Sequence, residues 1–94
     1  MTTLNALQNG EEIRNWTVFN GYLGDSFRIA AVKPTYVAVE TPKAQNIQNI
    51  PSREFRMIDQ LWDDYVSGHV PRHKIRDLTR FSKYIISILR HLKG

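Results

Sequence analysis

Basic side chains are concentrated in the C-terminal part of this 94-residue chain. Residues 69–94 contain seven lysine and arginine residues and one acid, Asp77, whereas residues 1–68 contain six basic and eight acidic side chains. Guanidinium and ammonium groups donate hydrogen bonds to phosphate oxygens, so this asymmetry favours an anionic partner such as nucleic acid. The residues predicted to contact nucleic acid are Arg72, Lys74, Arg76, Arg80, Lys83, Ser87 and Arg90. The alternative is that these charges only form a solvated surface.

The sequence also suggests two other functions, metal binding and nuclease activity, but supports each of them less well. His69, His73 and Asp77 are spaced four residues apart, which would place them on one face of a continuous helix and allow metal binding. Pro71 interrupts that spacing, because proline begins helices more readily than it continues them. The sequence therefore predicts no metal site.

Many restriction nucleases use clustered acidic residues and a lysine around a metal ion. Asp25, Glu40 and Lys43 match this pattern in part. The separation of Glu40 and Lys43 is one residue too long for both to lie on one face of a strand, and Pro42 lies between them. Phosphate-loop, dinucleotide-binding and nucleophile-elbow patterns do not occur. We therefore expect a protein that is not an enzyme and needs no cofactor.

The predicted secondary structure that positions these residues changes from strand to helix near residue 50. We expect one domain, residues 1–94, of which 1–50 form mainly sheet and 51–94 are helical. The predicted strands are Trp16–Phe19, Phe27–Val32, Tyr36–Glu40 and a short one within 46–50, with a turn at Asn20-Gly21 and a bend at Gly24-Asp25.

Apolar residues at helical spacing follow Pro51. Ser52 is predicted to cap a long helix, and Gly68 to end it. Its apolar stripe consists of Phe55, Ile58, Leu61, Trp62, Tyr65 and Val66. A short helix begins after Pro71, and a third helix runs from about Arg80 to Leu92.

The third helix has two faces in projection. Its core face is formed by Phe81, Ile85, Ile88 and Leu92, and the opposite face carries Arg80, Lys83, Ser87 and Arg90. A long helix, a short helix and a third helix with a basic face outline a helix-turn-helix module. The predicted fold is therefore α+β, with a small antiparallel sheet followed by a three-helix, helix-turn-helix-like unit that binds double-stranded DNA.

Several short motifs resemble a pattern in small bacterial proteins and in accessory domains of restriction and mobile-element proteins. The motifs are Trp62-Asp-Asp-Tyr65, Arg72-x-x-Ile75 and the run from Ser82 to Leu89, and the resemblance covers about residues 27–92. A free-standing chain of this length is also similar to the small uncharacterised products of integron gene cassettes. The resemblance implies a bacterial mobile-element setting and no particular activity.

Ile86 lies outside the predicted core face of the third helix. With Leu89 it would extend the apolar surface, which predicts a homodimer interface and, as an alternative function, a protein-interaction or oligomerisation module. A further alternative is a small-ligand pocket between sheet and helices, lined by Trp16, Tyr36 and Trp62.

The cellular location is expected to be cytoplasmic. The chain has no cysteine and no apolar run near the roughly 20 residues that cross a bilayer, and residues 1–10 lack the features of a signal peptide. We therefore expect no membrane partner.

Overall fold

Strands precede helices in the computed structural model, which describes residues 6–18, 20–41 and 46–93. The elements are β1 (Glu12–Thr17), β2 (Gly21–Val32), β3 (Tyr36–Glu40), β4 (Ile47–Pro51), α1 (Ser52–Asp59), α2 (Trp62–Val66), α3 (Arg72–Leu78) and α4 (Ser82–Lys93). This arrangement confirms the predicted α+β class. Within the described ranges no helix is long and apolar enough to span a membrane.

The strands form one antiparallel sheet in the order β1-β2-β3-β4. The turn predicted at Asn20-Gly21 is confirmed, since Gly21 has a φ of 67° and begins β2. The predicted bend at Gly24-Asp25 does not end a strand, because β2 continues through these residues. Between the pairs Arg14–Ser26 and Trp16–Tyr22, however, three residues of β2 lie opposite one residue of β1, so β2 bulges at the predicted place.

One face of the sheet is covered by the helices. Its fully buried residues are Ile13, Phe27, Ile29, Val37, Val39 and Ile50, and they join one core with Ile85, Ile88 and Leu89 of α4. The alternation of buried and exposed residues in β1 is that of a sheet with one covered face.

The long helix predicted after Pro51 is divided in two. The Leu61 N–H donates to the Ile58 carbonyl at 2.9 Å, which tightens the backbone between α1 and α2. Gly68 follows α2 with a φ of 88°, which confirms its predicted place at the end of the helical segment.

Ser52 does not cap α1, because it is already the first helical residue and Pro51 occupies the cap position. The Ser52 N–H instead donates to the Thr35 carbonyl, which ties the start of α1 to the β2–β3 turn.

Candidate nucleic-acid interface

Five cations lie together in sequence on α3 and at the start of α4. We call them the basic surface, and they are Arg72, Lys74, Arg76, Arg80 and Lys83. All are exposed except Arg72, which is half-buried and has a buried Nε atom without a hydrogen-bond partner. Ile75 is the one side chain of α3 that is buried, so this short helix presents most of its surface to solvent.

The basic surface includes cations in the first turns of two helices. The first turns of α3 and α4 contain no acid. By contrast, α1 has Glu54 and α2 has Asp63 in that position. A helix N-terminus carries a partial positive charge, so Lys74 and Lys83 lie where their charge is disfavoured unless an anion is present. The positive charge of these two lysines therefore adds to the positive potential of the basic surface, which favours an anionic partner.

The charged side chains at the other end of α4 make contacts within the protein. The Lys93 ammonium is 2.7 Å from an Asp59 carboxylate oxygen, and the His91 imidazole contacts the Glu11 carboxylate. No ion pair with another described residue involves the five cations of the basic surface. Between residues 69 and 93, the cations that form no ion pair are thus Arg90 and the five of the basic surface, which lie on α3, in the α3–α4 connection and in the first turn of α4.

Arg90 was predicted to contact nucleic acid from an exposed face, and the structure places it differently. Its guanidinium lies 5.0 Å from the centre of the Trp16 ring, and its half-buried side chain has a buried Nε atom without a hydrogen-bond partner. This arrangement is a cation–π contact between α4 and β1. Arg90 therefore stabilises the packing of α4, and we exclude it from the basic surface.

Ser87 was predicted to contact nucleic acid, and this prediction is wrong. The residue is fully buried. The Trp16 N–H donates to Ser87 Oγ at 3.0 Å, and the Ser87 hydroxyl donates to the Lys83 carbonyl at 3.0 Å. Ser87 is inaccessible because the side of α4 that was expected to face solvent packs against β1.

Ile86 and Leu89 were predicted to form a dimer interface, but they lie inside the molecule. Their exposed fractions are 1% and 0%. The cause is that α4 contacts β1, α1 and α3, so it is covered on more than one side. The apolar surface on which the homodimer prediction depended is part of the protein core.

An open cleft of about 440 Å³ borders the basic surface. Its lining residues are Asn49, Pro51, Glu54, Arg76, Asp77, Leu78, Thr79, Arg80 and Phe81. The Arg80 guanidinium lies 4.7 Å from the centre of the Phe81 ring, and Phe81 itself is buried. This cleft could not be predicted from the sequence, because its two walls, β4 and the α3–α4 connection, are distant in the chain.

The ligand pocket suggested by the sequence is not open at the two tryptophans, because aromatic rings pack against one another there. The centres of the Trp16 and Trp62 rings are 6.0 Å apart, and Trp62 lies 5.8 Å from Tyr65. The two tryptophans contribute to the core and its edge rather than to an open pocket.

Two contacts lower the pKa of the Glu11 carboxylate. The Gln8 N–H donates to Glu11 Oε1 at 3.0 Å, and the His91 imidazole approaches the second oxygen. Both contacts favour the ionised carboxylate and hold the pKa of Glu11 below its usual range, with the Gln8 hydrogen bond as the larger cause.

Metal binding finds no support in the described part of the chain, where no three His, Asp or Glu side chains are close enough to share an ion. His69 and His73 are both exposed, and His69 Nδ1 lies 2.9 Å from the Ser67 hydroxyl.

Comparison with known proteins finds no matching family model, no matching curated protein and no matching solved structure. The geometry and charge of the chain itself are therefore the basis for a functional proposal.

Proposed function

We propose that this chain is a non-catalytic, DNA-associated accessory protein that binds the phosphates of double-stranded DNA through the basic surface. The observation that carries the proposal is the run of exposed cations Lys74, Arg76, Arg80 and Lys83, none of which forms an ion pair with another described residue. Phosphate oxygens would accept hydrogen bonds from these side chains. The same proposal places the protein in the bacterial cytoplasm, in the mobile-element setting that the motif resemblance implies.

The burial of α4 determines the mode of contact that we propose. A recognition helix in the major groove needs an exposed face from which side chains reach the base edges. Here Ser87 is buried and Arg90 covers Trp16, so α4 offers its first turn rather than its length. Contacts limited to phosphates fix a protein on the duplex and carry no direct sequence information. We therefore propose binding with little dependence on DNA sequence and a strong dependence on salt.

The test uses the double variant Lys74→Glu and Lys83→Glu. Both side chains are exposed, and neither contributes to the buried core. Fluorescence anisotropy with a labelled duplex should show wild-type affinity falling at least tenfold between about 50 and 200 mM salt. The double variant should bind more weakly, and the slope of log affinity against log salt should become shallower by roughly two.

A matched control replaces two exposed cationic residues of α1, Arg53 and Arg56, with glutamate. This variant has the same net charge as the first one, so an effect of total charge alone would weaken both equally. The proposal predicts that the control retains most of the wild-type affinity. Equal loss in the two variants, or no salt-dependent binding by the wild type at about 50 mM salt, would exclude this function.

A further inference from the structure

The cleft beside the basic surface has two walls that differ in chemistry. One wall is formed by the end of β4 and the start of α1, and its charged group is the carboxylate of Glu54. The other wall is formed by the end of α3 and the α3–α4 connection, and it includes Arg76, Asp77 and Arg80. A ligand between the walls would meet a hydrogen-bond acceptor on one side and guanidinium donors on the other.

The charged groups of the cleft are not neutralised within the protein. None of its two arginines and two acids forms an ion pair with another described residue. The lining has no net charge, so a phosphate group inside the cleft would meet carboxylates as well as guanidinium groups. A neutral group that both donates and accepts hydrogen bonds matches this lining better than an anion does.

Arg80 is held at the cleft by the ring of Phe81. The guanidinium lies 4.7 Å from the centre of this buried ring. A cation–π contact restricts the arginine side chain, so less conformational freedom is lost when the guanidinium binds a ligand. The planar guanidinium can donate two parallel hydrogen bonds to a ligand that has two neighbouring acceptors.

The cleft and the basic surface share Arg76 and Arg80. A DNA strand whose phosphates lie along the basic surface would therefore pass the opening of the cleft. A paired base is held in the duplex stack, whereas an unpaired base can leave it at much lower cost. The cleft volume of about 440 Å³ lies in the range of roughly 300–1,000 Å³ that is typical of small-molecule sites, so one base can enter.

Guanine is the base whose edges match the two walls. Its N1–H and its N2 amino group are adjacent donors, and one carboxylate can accept from both. Its O6 and N7 atoms are the acceptors that arginine binds in a bidentate manner. Thymine would instead place carbonyl oxygens against the carboxylate. Adenine and cytosine each have an amino group beside a ring nitrogen that only accepts, so each offers the carboxylate one donor.

We propose that the cleft binds one unpaired guanine of a DNA strand, with Glu54 accepting from N1 and N2 and Arg80 donating to O6 and N7. This inference rests on the proposed DNA function and adds to it a preference for one base at unpaired positions. Within the paired duplex the contacts remain limited to phosphates.

The test measures fluorescence anisotropy with three labelled duplexes, one fully paired, one with a single bulged guanine and one with a single bulged thymine. The wild type should bind the guanine bulge about tenfold more tightly than the thymine bulge, as expected for a bidentate contact. The thymine bulge controls for the altered shape of the duplex. Glu54→Gln retains the size of the side chain but places an amide donor against the donors of guanine, so the ratio of the two affinities should fall to about one.

Asp63→Asn is the matched control, because it removes a carboxylate from the first turn of α2, outside the cleft. It should retain the tenfold ratio. The Lys74→Glu, Lys83→Glu double variant should bind all three duplexes more weakly and retain the ratio, since neither lysine lines the cleft. Binding of the paired duplex by Glu54→Gln shows that this variant is folded.

Two results would overturn the inference while the DNA function stands. In the first, the wild type binds the paired duplex but does not distinguish the two bulges. In the second, Glu54→Gln retains the same ratio as Asp63→Asn. If the wild type does not bind the paired duplex at about 50 mM salt, the proposed DNA function is excluded, and the guanine site is excluded with it.

Discussion

A carboxylate in place of Ile86 would be buried among apolar side chains, since this residue is 1% exposed. Burial of an unpaired charge costs several kcal/mol, a large part of the stability of a small domain. We therefore expect Ile86→Glu to lack a cooperative unfolding transition when it is followed by circular dichroism during heating. A dimer interface at Ile86 would instead predict that Ile86→Glu is a folded monomer.

Lys83→Glu provides the comparison at an exposed position of the same helix. It introduces the same side chain and should unfold cooperatively, with a free energy of unfolding within about 0.5 kcal/mol of the wild type. A well-folded, monomeric Ile86→Glu protein would contradict the position of Ile86 in the core.

The residues that sequence reasoning misplaced share one physical cause. Ser87 and Ile86 lie away from the stripe that ends at Leu92, and a helix covered on one side would expose them. Contacts from β1, α1 and α3 cover α4 more widely than this stripe. Helical periodicity predicts a direction of burial but not how many neighbours surround the helix.

At the scale of elements, Ser87 joins α4 to the edge of β1. In Ser87→Ala the Trp16 N–H loses its acceptor, and an unpaired donor in a partly buried place costs roughly 1–3 kcal/mol. Urea denaturation should show this loss of unfolding free energy. Ser67→Ala removes an exposed hydroxyl that donates to the Asp64 carbonyl, and it should change stability by less than about 0.5 kcal/mol. Equal stability of the two variants would show that the hydrogen bond between Trp16 and Ser87 does not stabilise the fold.

The elements themselves were largely predictable, because alternation marks β3 and the turn residues mark the start of β2. The break between α1 and α2 was not, since the apolar stripe runs from Ile58 to Trp62 without interruption. The cleft was not predictable either, because it joins β4 to residues near Phe81 through tertiary packing. The basic surface contains five of the seven residues predicted to contact nucleic acid, and these five are close in sequence.

At the scale of the whole molecule, Glu11 connects the segment before β1 to the end of α4. Its folded-state pKa is lowered, so its ionised form stabilises the fold above the ordinary glutamate pKa of about 4.3. This contribution is lost as the pH falls through the lowered folded-state pKa. The melting temperatures of the wild type and Glu11→Gln should therefore differ at neutral pH and converge in acid.

The variant His91→Gln distinguishes the two causes of this shift. The Gln8 N–H is the larger cause of the lowered pKa. The melting temperature of His91→Gln should therefore still fall between neutral and acidic pH by most of the amount seen for the wild type. Differential scanning calorimetry over this range measures both variants. If His91→Gln behaves like Glu11→Gln, the contact with α4 is the dominant interaction and the Gln8 hydrogen bond is minor.

The hydrogen bond between Trp16 and Ser87 spans 71 positions of the chain. At a synthesis rate of about 5–20 residues per second, β1 would wait roughly 4–14 s for its partner on α4 to be made. During that interval the sheet can pair, but the apolar face that contains Ile13 and Phe27 has no α4 to cover it. Contacts between such distant segments also slow folding after synthesis. The nascent chain therefore passes through a stage at which chaperones, or unwanted association, compete for the surface that α4 later covers.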